Sequence, residues 1–135
     1  SQLNNPDGVA VDAAGNVYIA DVRSSRIRKV TIATGIISTV AGTAGSYGFS
    51  GDGAAATACQ LNRPYGVEVD NAGNIYIADR DNNRIRKVSG GIITTIAGYT
   101  TTVGYSGEGL TTAKPRLLTK AVPASTICVT NFVRL

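Results

Sequence analysis

Internal repetition is the feature that most constrains the fold of this chain. Asn16–Val30 reads NVYIADVRSSRIRKV, and Asn74–Val88 reads NIYIADRDNNRIRKV, 58 positions further on. The offset becomes 56 after Val30, where IISTVAG matches IITTIAG and GFSGDG matches GYSGEG. Such self-similarity indicates stacked structural units, each too small to bury its apolar face alone.

Each copy is predicted to form four short strands joined by tight turns. The first, GVAVD or GVEVD, is apolar enough to be buried on both faces, and NVYIAD or NIYIAD alternates apolar residues with a tyrosine. RIRKV and GII[ST]T[VI]AG follow as the third and fourth strands, with Ile27 and Ile85 pointing inward. In the D-x-x-G-N turns, Gly15 and Gly73 are expected at positive φ.

The pattern P-x-G-V-x-V-D-x-x-G-N-x-Y-I-A-D-x-x-x-x-R-I-R-K-V resembles the NHL repeat of β-propeller proteins and covers roughly residues 3–98. The resemblance implies an all-β fold of four-stranded antiparallel propeller blades. The intervening GFSGDGAAATACQLNRP resembles the long inter-repeat loop of a bacterial branch of this family. Because chains of that branch are often exported, the resemblance also implies an extracellular or periplasmic location.

The repeat pattern fades in its third copy. GYSGEGLTTAKPRLL follows GFSGDGAAATACQLN, but the next N-x-P-x-G-V is missing. We therefore divide the chain into two blades with long loops, residues 1–109, and a degenerate partial repeat or assembly tail, residues 110–135. A shifted reading frame and a natural end both account for the tail.

Two blades are fewer than the 4–8 that close a propeller. The chain is therefore expected to be a propeller fragment that is completed by association with copies of itself. A trimer giving six blades is favoured, and a dimer that uses the tail as a partial blade is the rival. The tail is also a candidate to donate a strand to a neighbouring copy.

Charge and composition exclude some classes of function. The net charge is +4, but residues 1–109 carry nine basic and nine acidic side chains, so the excess lies in the tail. This distribution makes a nucleic-acid partner unlikely. No apolar run reaches the length of a membrane span. Cys59 and Cys128 are expected to be separate thiols, with a disulfide as the alternative.

Asp12 and Asp70 end the first strand of each copy. We expect their carboxylates to accept backbone hydrogen bonds in the D-x-x-G-N turn. The alternative is that they line the central channel of an assembled propeller, where a ring of carboxylates could hold Ca²⁺. Calcium-dependent hydrolases exist on propellers, although this chain lacks their full sequence pattern.

Charged residues also follow the second strand and occupy the glycine-rich loops. The hairpins are predicted to carry ion pairs of the weak kind found at protein surfaces. Asp52 and Glu108 are candidates for a metal or partner contact on the loops. The predicted structural ion pairs involve Asp21, Arg26, Arg28, Asp79, Arg84 and Arg86.

The preferred function is a structural or ligand-binding scaffold, with no cofactor predicted. The alternative is a hydrolase of esters or phosphoesters that depends on Ca²⁺ or another divalent metal at the channel. The chain contains no His, which excludes the usual Ser-His-Asp catalysis. Whether the chain is an enzyme is left undecided, with the balance against it.

Overall fold

The computed structural model describes residues 2–98, and these residues form two four-stranded antiparallel sheets. Each sheet is a meander in which strands follow one another in chain order. We call the first sheet blade 1 and the second blade 2. Blade 1 contains β1 (Pro6–Val11), β2 (Val17–Asp21), β3 (Arg26–Thr31) and β4 (Ile36–Ala41). Blade 2 contains β5 (Pro64–Val69), β6 (Ile75–Asp79), β7 (Arg84–Ser89) and β8 (Ile92–Ala97).

The predicted all-β fold and its blade-like sheets are confirmed. Three short 3-10 turns, Val22–Ser24, Ala56–Ala58 and Arg80–Asn82, complete the regular structure of the described residues. Within residues 2–98, no helix is long and apolar enough to cross a membrane.

The turns adopt the conformations that their residues favour. Gly15 and Gly73 have φ values of 86° and 83°, as the D-x-x-G-N pattern predicts. Ser25 and Asn83 are left-handed, with φ values of 52° and 51°, just before the third strand of each blade. These equal angles show that the two copies turn their central hairpins in the same way.

The hydrophobic core lies within and between the two blades. Ile27 and Ile85 are buried as predicted, together with Leu61 from the connection between blades. The inner strands β1 and β5 pack against each other, and their backbones approach closely at Gly8. A Cβ atom built at Gly8 would lie 2.9 Å from Gly66 Cα and would collide with the carbonyl oxygen of Tyr65.

The innermost strands of the two blades differ in burial. Val67 and Val69 of β5 are 4% and 9% exposed, whereas Val9 and Val11 of β1 are 62% and 57% exposed. The prediction that the first strand is buried on both faces is therefore wrong for blade 1. The physical reason is that blade 1 covers β5, while no described residue gives β1 the same cover.

Residues 110–135, Glu108 and Cys128 lie outside the described residues. The predicted partial repeat and the predicted oligomer therefore stay predictions.

Candidate functional site

The long connection between the blades packs onto blade 2 through the segment 48–56, which we call the docking loop. Phe49 lies over two arginines of β7: its ring centroid is 3.7 Å from Arg84 Cζ and 4.7 Å from Arg86 Cζ. A guanidinium over an aromatic face is attracted by the ring quadrupole. The loop is thus held on blade 2 by a stacked aromatic side chain.

Arg86 is the centre of this contact, and its side chain is fully buried. Its Nη2 atom donates to the carbonyl oxygen of Ser50 at 3.0 Å and to Asp52 Oδ1 at 2.8 Å. Its Nη1 atom lies 3.4 Å from Asp79 Oδ2 and 3.4 Å from the carbonyl oxygen of Gln60. One guanidinium therefore joins the docking loop to the β6–β7 hairpin, using the fork of donors that distinguishes Arg from Lys.

Asp79 sits beneath Arg86 and is also fully buried. Burial raises the pKa of Asp79 to about 6, against the hydrogen bonds that favour its ionised form. These come from the Asn62 backbone N–H at 2.8 Å, from Asn82 Nδ2 at 2.7 Å and from Arg86. Asn82 Nδ2 also donates to the Gly48 carbonyl oxygen at 2.7 Å, so a second side chain of blade 2 holds the docking loop.

In the equivalent hairpin of blade 1, the corresponding side chains have different hydrogen-bond and ion-pair partners. Asp21 accepts from the Asn4 backbone N–H, as Asp79 does from Asn62, but its ion-pair partner is Arg26, with Nε 2.9 Å from Oδ2. Arg28 instead donates from Nε to the Ser38 carbonyl oxygen at 3.2 Å. Desolvation lowers the pKa of Arg28, and the nearby charge of Arg26 acts in the same direction.

The predicted ion-pair residues thus lie together at the hairpins, but the expectation of surface pairs is wrong for four of them. Asp21, Arg28, Asp79 and Arg86 are buried, whereas the acidic loop residue Asp52 remains partly exposed. Buried charges require partners and hydrogen bonds, because each loses its hydration. The fixed geometry of this cluster follows from that requirement.

The docking loop also extends the outer edge of blade 2. Gly53 N donates to the Ile93 carbonyl oxygen at 2.8 Å, and Ile93 N donates to the Ala54 carbonyl oxygen at 3.1 Å. Ala56 N donates to the Gly91 carbonyl oxygen at 2.8 Å. These bonds cover the edge strand β8, which would otherwise present bare backbone groups. This contact was not predicted from the sequence, although the joint recurrence of GFSGDG and RIRK is a signal for it.

Asp12 and Asp70 occupy their turns in nearly identical ways. Asp70 Oδ1 accepts from the backbone N–H groups of Ala72 and Asn74 at 3.0 and 2.8 Å. Its Oδ2 accepts from Asn74 Nδ2 at 2.8 Å and from Tyr76 Oη at 3.2 Å. Asp12 accepts the four corresponding bonds.

Hydrogen bonds in these turns favour the ionised form of both carboxyl groups and so lower the pKa of each. The hydrogen bond from the Asn16 side chain is the largest cause that lowers the pKa of Asp12, and with the backbone donors and Tyr18 it outweighs the opposing effect of desolvation. At Asp70 desolvation is the largest cause and raises the pKa, but the bonds from Asn74, Tyr76 and Ala72 together outweigh it and lower its pKa. Both carboxylates are thus engaged in holding a turn. Within residues 2–98, no three Asp, Glu, Cys or His side chains cluster closely enough to hold a metal ion.

Cys59 lies in the connection between the blades, as a free and fully buried thiol. Burial raises its pKa, which disfavours the thiolate that nucleophilic chemistry requires. Its role in the described residues is to pack in the core with Leu61 and Ala56.

Comparison with known proteins identifies the family. The NHL-repeat model matches residues 3–30, and the teneurin NHL domain model matches residues 45–117, which is more than half of the chain. The chain belongs to the NHL-repeat family, as the sequence pattern predicted.

Individual relatives share parts of this chain. It is 35% identical over 86 residues to Protein SUPPRESSOR OF QUENCHING 1, chloroplastic, from Arabidopsis thaliana, a match covering 64% of this chain and 8% of that protein. The chain therefore spans a small fraction of that relative's length.

Solved structures that resemble parts of this chain include a lyase and a protein of unknown function. Virginiamycin B lyase from Staphylococcus aureus matches with a TM-score of 0.51 and 18% identity, over 74% of this chain and 28% of the lyase. A structural genomics protein of unknown function from Bacteroides thetaiotaomicron is 36% identical, with a TM-score of 0.49, over 53% of this chain and 18% of that one. The similarity to the lyase concerns the fold alone.

Proposed function

We propose that this chain is a self-assembling propeller scaffold, whose ligand- or protein-binding surfaces form when blades of several copies meet. The observation that carries the proposal is the exposed pair Val9 and Val11 on the innermost strand of blade 1. Their counterparts Val67 and Val69 are buried because a blade packs against them. The face of blade 2 that carries Val67 and Val69 packs against another blade. We therefore expect the equivalent exposed face of blade 1 to pack against a blade as well.

The free energy available from covering this face supports association. Complete burial of a valine side chain contributes roughly 1.5–3 kcal/mol relative to exposure. Repeat units that stack gain stability from such nearest-neighbour interfaces in addition to the intrinsic stability of each unit. Blade 2 of a second copy is the occupant with the matching shape, because the blade 1–blade 2 packing already provides the geometry.

Three copies with two blades each would give six blades, which we favour, and a dimer is the rival. In either ring, loops at the propeller ends would form the recognition surface, because loops on a rigid scaffold commonly carry binding residues. No described feature favours a metal-dependent hydrolase, since the carboxylates of Asp12 and Asp70 already hold their turns.

The test is the solution mass of the full chain, measured by light scattering over a range of concentrations. We expect a discrete oligomer. The double substitution Val9→Lys and Val11→Lys should shift it toward monomer while leaving the circular dichroism spectrum unchanged.

Ile32→Lys is the matched control, since Ile32 is 60% exposed but lies beyond the end of β3. The control should keep the wild-type mass. A folded wild-type chain that stays monomeric at all concentrations, or a lysine pair with no effect on mass, would refute the proposal.

A further inference from the structure

We propose that two partly exposed arginines of blade 2, Arg63 and Arg80, form a binding site for the carboxylate of an acidic peptide segment. Together with Tyr65 and Asp81 they make up a group that we call the arginine cluster. The cluster lies at the end of blade 2 where β5 begins and β6 ends. All four residues belong to one copy of the chain, so this site does not depend on the proposed self-assembly.

The contacts of the arginine cluster leave its donors available to a ligand. Arg63 Nη1 lies 3.6 Å from Asp81 Oδ2, and Arg80 Nη1 lies 3.6 Å from Asp81 Oδ1. Both distances exceed the usual length of an N–H···O hydrogen bond. The Arg80 guanidinium also stacks on Tyr65, with Cζ 4.7 Å from the ring centroid, which restricts its orientation. The cluster therefore holds two guanidinium groups side by side without using up their hydrogen bonds.

The arginine cluster is specific to blade 2, although the two blades share most of their sequence. Blade 1 forms the same central hairpin without it, with equal φ values of 52° and 51° at Ser25 and Asn83. Four substitutions that lie apart in the sequence come together in space in blade 2, so the needs of the blade fold do not explain them. At the offset of 58, the equivalents of Arg63, Tyr65, Arg80 and Asp81 are Asn5, Asp7, Val22 and Arg23.

The backbone of Arg63 is strained, which also indicates a role beyond the fold. Its φ is 49°, and its equivalent Asn5 has a φ of 56°. Asn adopts positive φ readily, whereas Arg does so at a cost. The Arg63 backbone N–H donates to Ser25 Oγ of blade 1 at 3.3 Å, which helps to hold this conformation. Strain of this kind is often retained at functional sites.

The charge and shape of the cluster favour a carboxylate as the ligand. Two arginines and one aspartate carry a net charge of one positive unit, which matches a single carboxylate. The guanidinium fork binds a carboxylate through two parallel hydrogen bonds. The same chain already contains such a contact, because Arg86 Nη2 binds Asp52 Oδ1 of the docking loop at 2.8 Å. An acidic peptide segment is therefore the partner that fits the arginine cluster.

The experiment measures binding of a fluorophore-labelled hexaglutamate peptide to the full chain by fluorescence anisotropy, with hexaglutamine carrying the same label as the blank. Arg63→Asn introduces the residue of blade 1 and should raise the dissociation constant about tenfold or more, because hydrogen bonds to charged groups are strong. The same variant should keep or raise the melting temperature, since Asn suits the positive φ. A purely structural role of Arg63 would instead lower it.

Two further variants test the assignment. Arg23→Gln is the matched control, because it removes an exposed arginine from the equivalent hairpin of blade 1 and should leave the dissociation constant unchanged. Asp81→Asn should lower the dissociation constant, since it removes the carboxylate that competes with the ligand.

Three results would overturn the inference: no binding of hexaglutamate beyond that of hexaglutamine, equal losses in Arg23→Gln and Arg63→Asn, or weaker binding in Asp81→Asn. A monomeric wild type that binds hexaglutamate through Arg63 would support this site while refuting self-assembly.

Discussion

At the scale of single residues, the two copies show that identical side chains acquire different partners. Asp21 pairs with Arg26, but Asp79 pairs with Arg86. The difference follows from the docking loop, because Arg86 donates hydrogen bonds to Asp52 and to the Ser50 carbonyl oxygen of that loop. A buried charge is thus placed by all of its partners together, including those distant in sequence.

Asp79 makes the stability of blade 2 depend on pH. Its pKa is raised from 3.8 to about 6 in the folded chain, so the folded state binds a proton more tightly than the unfolded state. The contribution of Asp79 to stability is therefore largest below about pH 4 and falls as the pH rises through 6. The full change is about 3 kcal/mol.

The measurement is urea denaturation at several pH values for wild type and Asp79→Asn. We expect the stability of wild type relative to the variant to decrease between pH 4 and 7. Asp70→Asn is the control of opposite sign, because the lowered pKa of Asp70 gives stability that is lost only as the pH falls below about 4. A relative stability of Asp79→Asn that is independent of pH would contradict the prediction.

At the scale of elements, the docking loop behaves as an additional edge of blade 2. It contributes backbone hydrogen bonds to β8 and a side-chain clamp to β7. Its own turns are tight: Gly51 has a φ of 89°, and a Cβ atom there would lie 2.7 Å from Cys59 Cβ. The loop is therefore an ordered structural element in spite of its glycine content.

Arg86→Lys should loosen this loop. A lysine ammonium cannot bridge Asp52, Ser50 and Asp79 in the planar geometry of a guanidinium, and it loses the fork that reaches the Gln60 carbonyl oxygen. We expect a loss of about 1–3 kcal/mol in the free energy of unfolding.

Hydrogen exchange of the Gly53 and Ile93 amides would locate the loss, since both donate across the loop–β8 contact. Arg63→Lys is the control, because the Arg63 side chain is 56% exposed and its contact with Asp81 is a surface ion pair. Equal effects of the two substitutions would argue against the clamp.

At the scale of the whole molecule, the arrangement of the blades depends on a close backbone approach. Gly8 of β1 meets Tyr65 and Gly66 of β5, and there is no space for a side chain between them. The packing distance of the inner strands is thus set by a residue without a Cβ atom.

Gly8→Ala should separate the blades and destabilise the chain by about 1–3 kcal/mol, as overpacking in a well-packed interior does. Thermal denaturation would measure the loss. Gly35→Asn is the control, because Gly35 has open space around it and a positive φ that Asn tolerates. An unchanged melting temperature in Gly8→Ala would show that the blades do not depend on this approach.

Local patterns predicted much of this structure. The strands, the glycine turns and the inward positions of Ile27 and Ile85 follow from alternation and turn chemistry within short windows. The exposure of Val9 did not follow, because GVAVD and GVEVD are nearly the same sequence and differ only in what lies beside them. The hydrogen bond from Arg86 to Asp52 joins residues 34 positions apart in the sequence, and it depends on how the docking loop folds back onto blade 2.

The docking loop precedes blade 2 in the chain and covers its edge. A structural unit of this protein therefore begins at the loop and ends with the blade. A segment from Thr43 to Gly98 contains blade 2 together with its own clamp and edge cover. A segment from Leu3 to Ala58 instead contains blade 1 together with the loop that docks on blade 2. Duplication of the gene segment that encodes Thr43 to Gly98 would therefore add a blade together with the loop that docks on it. Each added copy would leave the contacts of the preceding blades unchanged.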